Sequence, residues 1–281
     1  MFNLIKINLL SVLITLVLSY SNAAVAVTAA VLTACAATGT IMTADGQCRF
    51  TPSKYEVTIF EMGVCTANPM TTDDFNTAVC SKTFTATDQT NGFTADMAET
   101  LGGSIDLTGT SSRPANGTYK YPYIIMKNTF KVQATFVHSG ATYYLKSNGS
   151  VTASAPAQDL TSTLQGFGND NCDGEYLNSA VDVGFINGYL TNASLNKRDS
   201  SDISGSSPNR DCGSGTNRLV GVMELTAPFT ISPSTLKMQF TFNITGYGAQ
   251  FFDDAGSNSI PDQGGSGPFS GFFEVTDGGA Q

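Results

Sequence analysis

The sequence predicts an all-β protein, an antiparallel β-sandwich with short helices and long loops rich in Gly, Asn and Ser. Three observations point there. Within residues 113–139, Phe130, Val132, Ala134 and Phe136 fall on one parity, while Lys131, Gln133 and Thr135 fall on the other. Within residues 236–245, Leu236, Met238, Phe240, Phe242 and Ile244 alternate with Lys237, Gln239, Thr241, Asn243 and Thr245. Successive side chains of a strand point to opposite faces, so each stretch offers one face to a core and one to water. Third, charged residues make up 13% of the chain, well below the usual quarter, with Thr, Ser, Gly and Asn in their place. The two alternating stretches are the expected spine.

The chain opens with Lys6, an apolar run over residues 9–18, and small residues Ser21 and Ala23. A basic n-region, a short h-region and a small-x-small site describe a secretory signal peptide over residues 1–23. A competing reading joins this run to residues 24–34 as a membrane anchor, since no charge stands between Lys6 and Asp45. The run is interrupted at residues 19–22, and no basic stop-transfer cluster follows. Leu32-Thr33-Ala34-Cys35 resembles the lipobox of bacterial lipoproteins, which implies an acylated Cys35. Contact with a membrane is expected only if Cys35 is lipidated or the N-terminal segment stays uncleaved.

Residues 24–50 follow as an N-terminal arm or first strand, with Val25, Val27, Ala29 and Val31 on one parity. Residues 51–281 form the single sandwich domain, carrying a long loop insertion over 166–218. Tyr55, Val57 and Ile59 alternate with Glu56 and Thr58, marking residues 54–65 as a strand. Thr72, Asp73 and Asp74 ahead of Phe75 and Val79 suggest a short helix over 72–80. Strands are expected at 82–86 and 104–108, with a helical turn at 96–101 between them. Lys127-Asn128 is expected to reverse the chain, pairing 119–126 with 130–138 as a hairpin. Pro122 lacks an N–H and places that first strand at an edge or a bulge. Residues 141–146 and 151–155 extend the meander, and a short helix is expected at 158–164. Strands at 181–190, 219–225 and 269–276 complete the sheets.

The segment GTYKYPYIIM, beginning at Gly117, resembles the Gly-Thr-Tyr entry into a strand of transthyretin-like and other Ig-like modules of exported bacterial proteins. The resemblance implies that kind of β-sandwich and no activity.

Six cysteines, Cys35, Cys48, Cys65, Cys80, Cys172 and Cys212, form an even set in a chain read as exported, so three disulfides are expected. Proximity suggests Cys35 with Cys48, Cys65 with Cys80 and Cys172 with Cys212, among fifteen connectivities that six cysteines allow. No CxxC pair is present, which removes zinc-ribbon and thioredoxin-like readings. The net charge of −9 becomes −10 without the leader, and an acidic surface excludes nucleic acid as a partner.

His138 is the only histidine, so any Ser-His-Asp or Cys-His site would have to use it, and no GxSxG accompanies it. No catalytic residue is therefore assigned and the chain is read as a non-enzyme without a cofactor. Structural calcium is the one metal the sequence allows. Asn169, Asn171 and Asp173, followed by Gly174, space oxygen ligands as a calcium loop does, although Ala180 stands where an EF-hand needs a bidentate Glu. A second acidic loop holds Asp253, Asp254 and Asp262. Tyr119, Tyr121 and Tyr123 share a strand parity and offer a ligand face on which sugars could stack.

These residues describe a secreted extracellular, cell-surface or periplasmic structural protein. The arm over 24–34 is expected to be able to add as a strand to a neighbour's sheet, giving self-association. The alternative is a β-sandwich module binding glycans or another surface ligand.

Overall fold

The structure is a computed structural model describing residues 6–8, 47–70, 74–166, 172–174, 180–181, 184–198, 212–213, 215–253, 260–267 and 269–277. In chain order its strands begin with β1 (Lys6–Asn8), β2 (Gln47–Phe50), β3 (Lys54–Cys65), β4 (Cys80–Ala86), β5 (Phe93–Asp96), β6 (Ser104–Asp106) and β7 (Gly109–Ser111). They continue with β8 (Gly117–Tyr119), β9 (Tyr121–Lys127), β10 (Thr129–Gln133), β11 (Thr135–His138), β12 (Ala141–Leu145), β13 (Val151–Thr152) and β14 (Leu160–Thr163). The second half holds β15 (Asp173–Gly174), β16 (Ala180–Val181), β17 (Gly184–Thr191), β18 (Arg218–Leu225) and β19 (Phe229–Ile231). The last four are β20 (Thr235–Asn243), β21 (Ala249–Phe252), β22 (Gln263–Ser266) and β23 (Ser270–Asp277). The chain is all-β, built from several antiparallel sheets, as its alternation predicts.

The axis of the largest sheet is β3. One of its edges is lined by β9 and β10 in a nearly continuous antiparallel ladder, from Cys65 opposite Tyr121 to Lys54 opposite Gln133. The other edge is lined by β4 and β5. Beyond β9 come β18 and then β17, and beyond β10 comes β14. The expected hairpin at Lys127-Asn128 is therefore absent. A twelve-residue strand offers partners to both halves of 119–133, and Lys-Asn lacks the Gly that favours a two-residue reversal. Asn128 instead lies buried in the run, its Nδ2 donating to the Leu164 carbonyl at 3.0 Å.

A register shift between Ile59 and Glu61 changes the parity of β3. Tyr55, Val57 and Ile59 enter the main core before it, and Met62 and Val64 after it. Phe60 joins a second cluster on the other face with Met70, Phe75, Tyr123, Ile125 and Val222. The centre of this sheet is thus covered on both sides. The main core joins β3, β9 and β10 to β20, β21 and β23, with Phe242 stacked on Phe269 at 4.7 Å and Tyr55 5.8 Å from Phe130. Each fully buried side chain of this size contributes about 1.5–3 kcal/mol.

Five local expectations are not met in the structure. Of the helix expected over 72–80, residues 72 and 73 lie outside the described residues, and the rest holds one 3₁₀ turn at Thr77–Val79, capped by Asn76, because Cys80 is drawn into β4 opposite Cys65. The helix at 158–164 is the strand β14, whose β-branched residues pair with β10, Thr163 meeting Thr129 hydroxyl to hydroxyl at 3.2 Å. Of residues 96–101, Asp96 ends β5 and 97–101 make turns without a helix. Pro122 sits neither at an edge nor at a bulge. It pairs with Val64 of β3, and on the other side of β9 it falls in a gap between Tyr123, where the β18 ladder stops, and the Leu225 N–H to Lys120 carbonyl bond of 2.9 Å beyond it, where an absent N–H is tolerated. In β20 a bulge between Thr235 and Lys237 expels Leu236, which is 64% exposed although its parity predicts burial.

Candidate functional site

Cysteine positions follow directly from the ladder. Cys65 closes β3 and Cys80 opens β4, the two stand opposite each other, and they form a disulfide with Cα atoms 4.0 Å apart. Cys172 and Cys212 are bridged as well, both almost fully buried in the main core. Cys48 is disulfide-bonded, and Cys35, its expected partner, lies outside the described residues.

The three tyrosines do not form a common exposed face. Tyr119 ends β8, pairs with Phe229 of β19 and is buried in the main core, its hydroxyl donating to the Ala115 carbonyl at 2.9 Å. Tyr121 and Tyr123 belong to β9 and pack on the second cluster, on the other side of the sheet. The break at Lys120 between β8 and β9 separates rings that a single strand would align. Tyr121 is half-buried beneath the Lys120 ammonium, 5.6 Å from its ring centre.

Tyr123 belongs to a polar cluster that the sequence did not reveal. Its hydroxyl donates to Glu61 Oε1 at 2.7 Å, and Lys82 Nζ donates to Glu61 Oε2 at 2.5 Å. Burial, together with the Glu61 charge and this hydrogen bond, pushes the Tyr123 hydroxyl far above its ordinary range. Phe75 closes over the ring, edge on, at 4.9 Å. The residues come from 61, 82 and 123, so only the β3 register brings them together. Their satisfied hydrogen bonds make this a structural lock on the sheet.

His138 ends β11 and is 3% exposed. It stacks on Phe136 at 5.9 Å and tilts against Tyr143, and its Nδ1 has no hydrogen-bond partner among the described residues. An imidazole enclosed by rings is poorly placed to exchange protons with a substrate. Of the calcium candidates, Asn169, Asn171 and Asp254 lie outside the described residues, as does the side chain of Asp173. Asp253 and Asp262 are half-buried, and the Asp262 backbone ties Phe252 to Val151 through N–H to carbonyl bonds of 3.0 and 2.7 Å. Among the described residues, no group of three or more His, Cys, Asp or Glu side chains could hold a metal ion. Nor is any described helix long and apolar enough to cross a membrane.

Two features remain beside β20. A shallow apolar dent with room of about 20 Å³, enough for a single water and not for a ligand, lies between Ile124, Ile186, Met223, Phe240 and Phe269. On the edge of β20 away from β23 runs β1, parallel to β20 and antiparallel to β6, so that Ile7 stands in register between Phe240 and Ile105. Lys6–Asn8 is thus a central strand, from a segment the leader reading removes. No local signal announces this, because a three-residue strand is specified by its neighbours. No protein-family model, curated protein or solved structure matches the chain.

Proposed function

We propose that this chain is an exported structural or cell-surface protein that performs no catalysis and is held in shape by disulfides. The observation that carries the reading is the pair of bridges Cys65–Cys80 and Cys172–Cys212, one pinning adjacent strands of the central sheet and the other buried in the core. Disulfides form and persist outside the reducing cytoplasm, so this bracing fits an oxidising compartment. A surface of uncharged polar groups and the enclosure of His138 among aromatic rings support the same reading. The glycan alternative loses its aromatic platform, since Tyr119 and Tyr123 are buried in different clusters.

The test is expression of the full chain in an exporting host, followed by fractionation, intact-mass analysis and a glycan array. An oxidised protein outside the cytoplasm, lacking its first 23 residues and silent on the array, is the expected result. Accumulation of reduced, full-length chain in the cytoplasm would overturn the export reading, and a reproducible sugar signal would move the function to ligand binding.

A further inference from the structure

We infer that the strand position between β20 and β6 is a docking slot for residues 24–34 of the same chain, which replace Lys6–Asn8 when the leader is removed; the inference rests on the export reading above. Among the described residues β6 pairs with no strand but β1, and β20 has only β1 opposite β23. Removing the leader therefore splits this sheet by one strand. It would also strip the ladder from a stretch of β20 that is closed on both faces, since Gln239, Phe240, Thr241 and Phe242 are each less than 10% exposed. Buried backbone N–H and C=O groups need partners, so a vacant slot is costly and a strand that fills it is strongly held.

The arm fits the slot in composition, direction and reach. Residues aligned across a sheet share a face, so the register position of Ile7 faces the main core with Phe240 and Ile105. Residues 24–34 carry no charge and put Val25, Val27, Ala29 and Val31 on one parity, small enough to pack beside Phe240. The arm leads to Gln47 at the start of β2, which pairs with β21, and β21 follows β20 after the turn closed by the Gly248 N–H to Ile244 carbonyl bond. An arm that must leave the slot at the C-terminal end of β20 runs parallel to it, as β1 does. The twelve residues 35–46 can span roughly 40 Å, enough for this return. The disulfide at Cys48, paired with Cys35 as spacing suggests, would hold the arm's exit beside β2. Direction and tether both favour the chain's own arm over that of a second copy.

Hydrogen–deuterium exchange on the exported protein, after intact-mass analysis and separation by size, tests the slot. The expected result is a chain starting near Ala24 whose monomer protects the amides of 238–243 and 104–106. In a Val27→Asp/Val31→Asp variant those amides should exchange at least about 100-fold faster, as in sub-global opening, while β3, β9 and β18 stay protected. If the variant does not fold, the unmodified protein alone decides. A trimmed monomer with fast exchange at both segments overturns the slot and leaves the export reading standing. Protection confined to an oligomer overturns the same-chain occupant in favour of a second copy's arm. A secreted chain that keeps Met1 overturns the slot and leader removal together.

Discussion

Tyr123, Glu61 and Lys82 show how single side chains secure the sheet. Tyr123→Phe removes the hydrogen bond to Glu61 Oε1 and leaves a buried carboxylate short of one partner. It should cost about 1–3 kcal/mol, read as a lower urea midpoint with an unchanged slope. Asp159 gives a test in pH. The hydrogen bond from Lys54 Nζ, and then the charge of that ammonium, hold its carboxyl below the ordinary value of 3.8. Asp159 consequently binds fewer protons folded than unfolded. Its contribution is present above the unfolded value and is lost as pH falls through the depressed folded one. The thermal midpoint of Asp159→Asn should lie slightly below that of the unmodified protein at pH 6, and the two should converge in acid. The difference should also shrink in salt, because the Asp159 side chain is 39% exposed.

At the scale of elements, β3 accounts for both the successes and the failures of sequence reading. Its alternation over Tyr55, Val57 and Ile59 is legible because a half-buried strand writes its face into every second residue. The parity change near Phe60 is not legible, since a bulge depends on what the partner strand presents. The same holds for Leu236, whose apolar character fits the pattern while its backbone bulges outward. The hairpin expected at Lys127-Asn128 and the helix expected at 158–164, which is the strand β14, are one error repeated. Local propensity was outweighed by an available sheet edge. Gly63 illustrates how tight that edge is. A Cβ there would stand 2.5 Å from both the Ser81 carbonyl oxygen and the Tyr123 ring. Gly63→Ala should therefore destabilise by about 1–3 kcal/mol through overpacking, and a lower thermal midpoint would show it.

For the molecule as a whole, the proposed export and the inferred slot beside β20 are linked through residues 1–23, which hold β1. The Cys65–Cys80 bridge is compatible with an oxidising compartment, and β6 pairs only with Lys6–Asn8 among the described residues. Under the proposed export, loss of residues 1–23 and docking of residues 24–34 would be steps of one maturation. The bridges Cys65–Cys80 and Cys172–Cys212 agree with the pairing that proximity suggested among fifteen. Composition and periodicity determined the all-β class and the apolar faces of β3, β10 and β20. Those are properties of short windows, in which side-chain alternation and short loops act directly. Tertiary structure alone decided that β9 and β10 share one edge of β3, that Tyr119 and Tyr123 fall into different cores, that Glu61 meets Lys82 and Tyr123, and that Lys6–Asn8 lies between β20 and β6. Each of these depends on which distant edge offers hydrogen bonds to a segment, and that choice is made by the whole sheet.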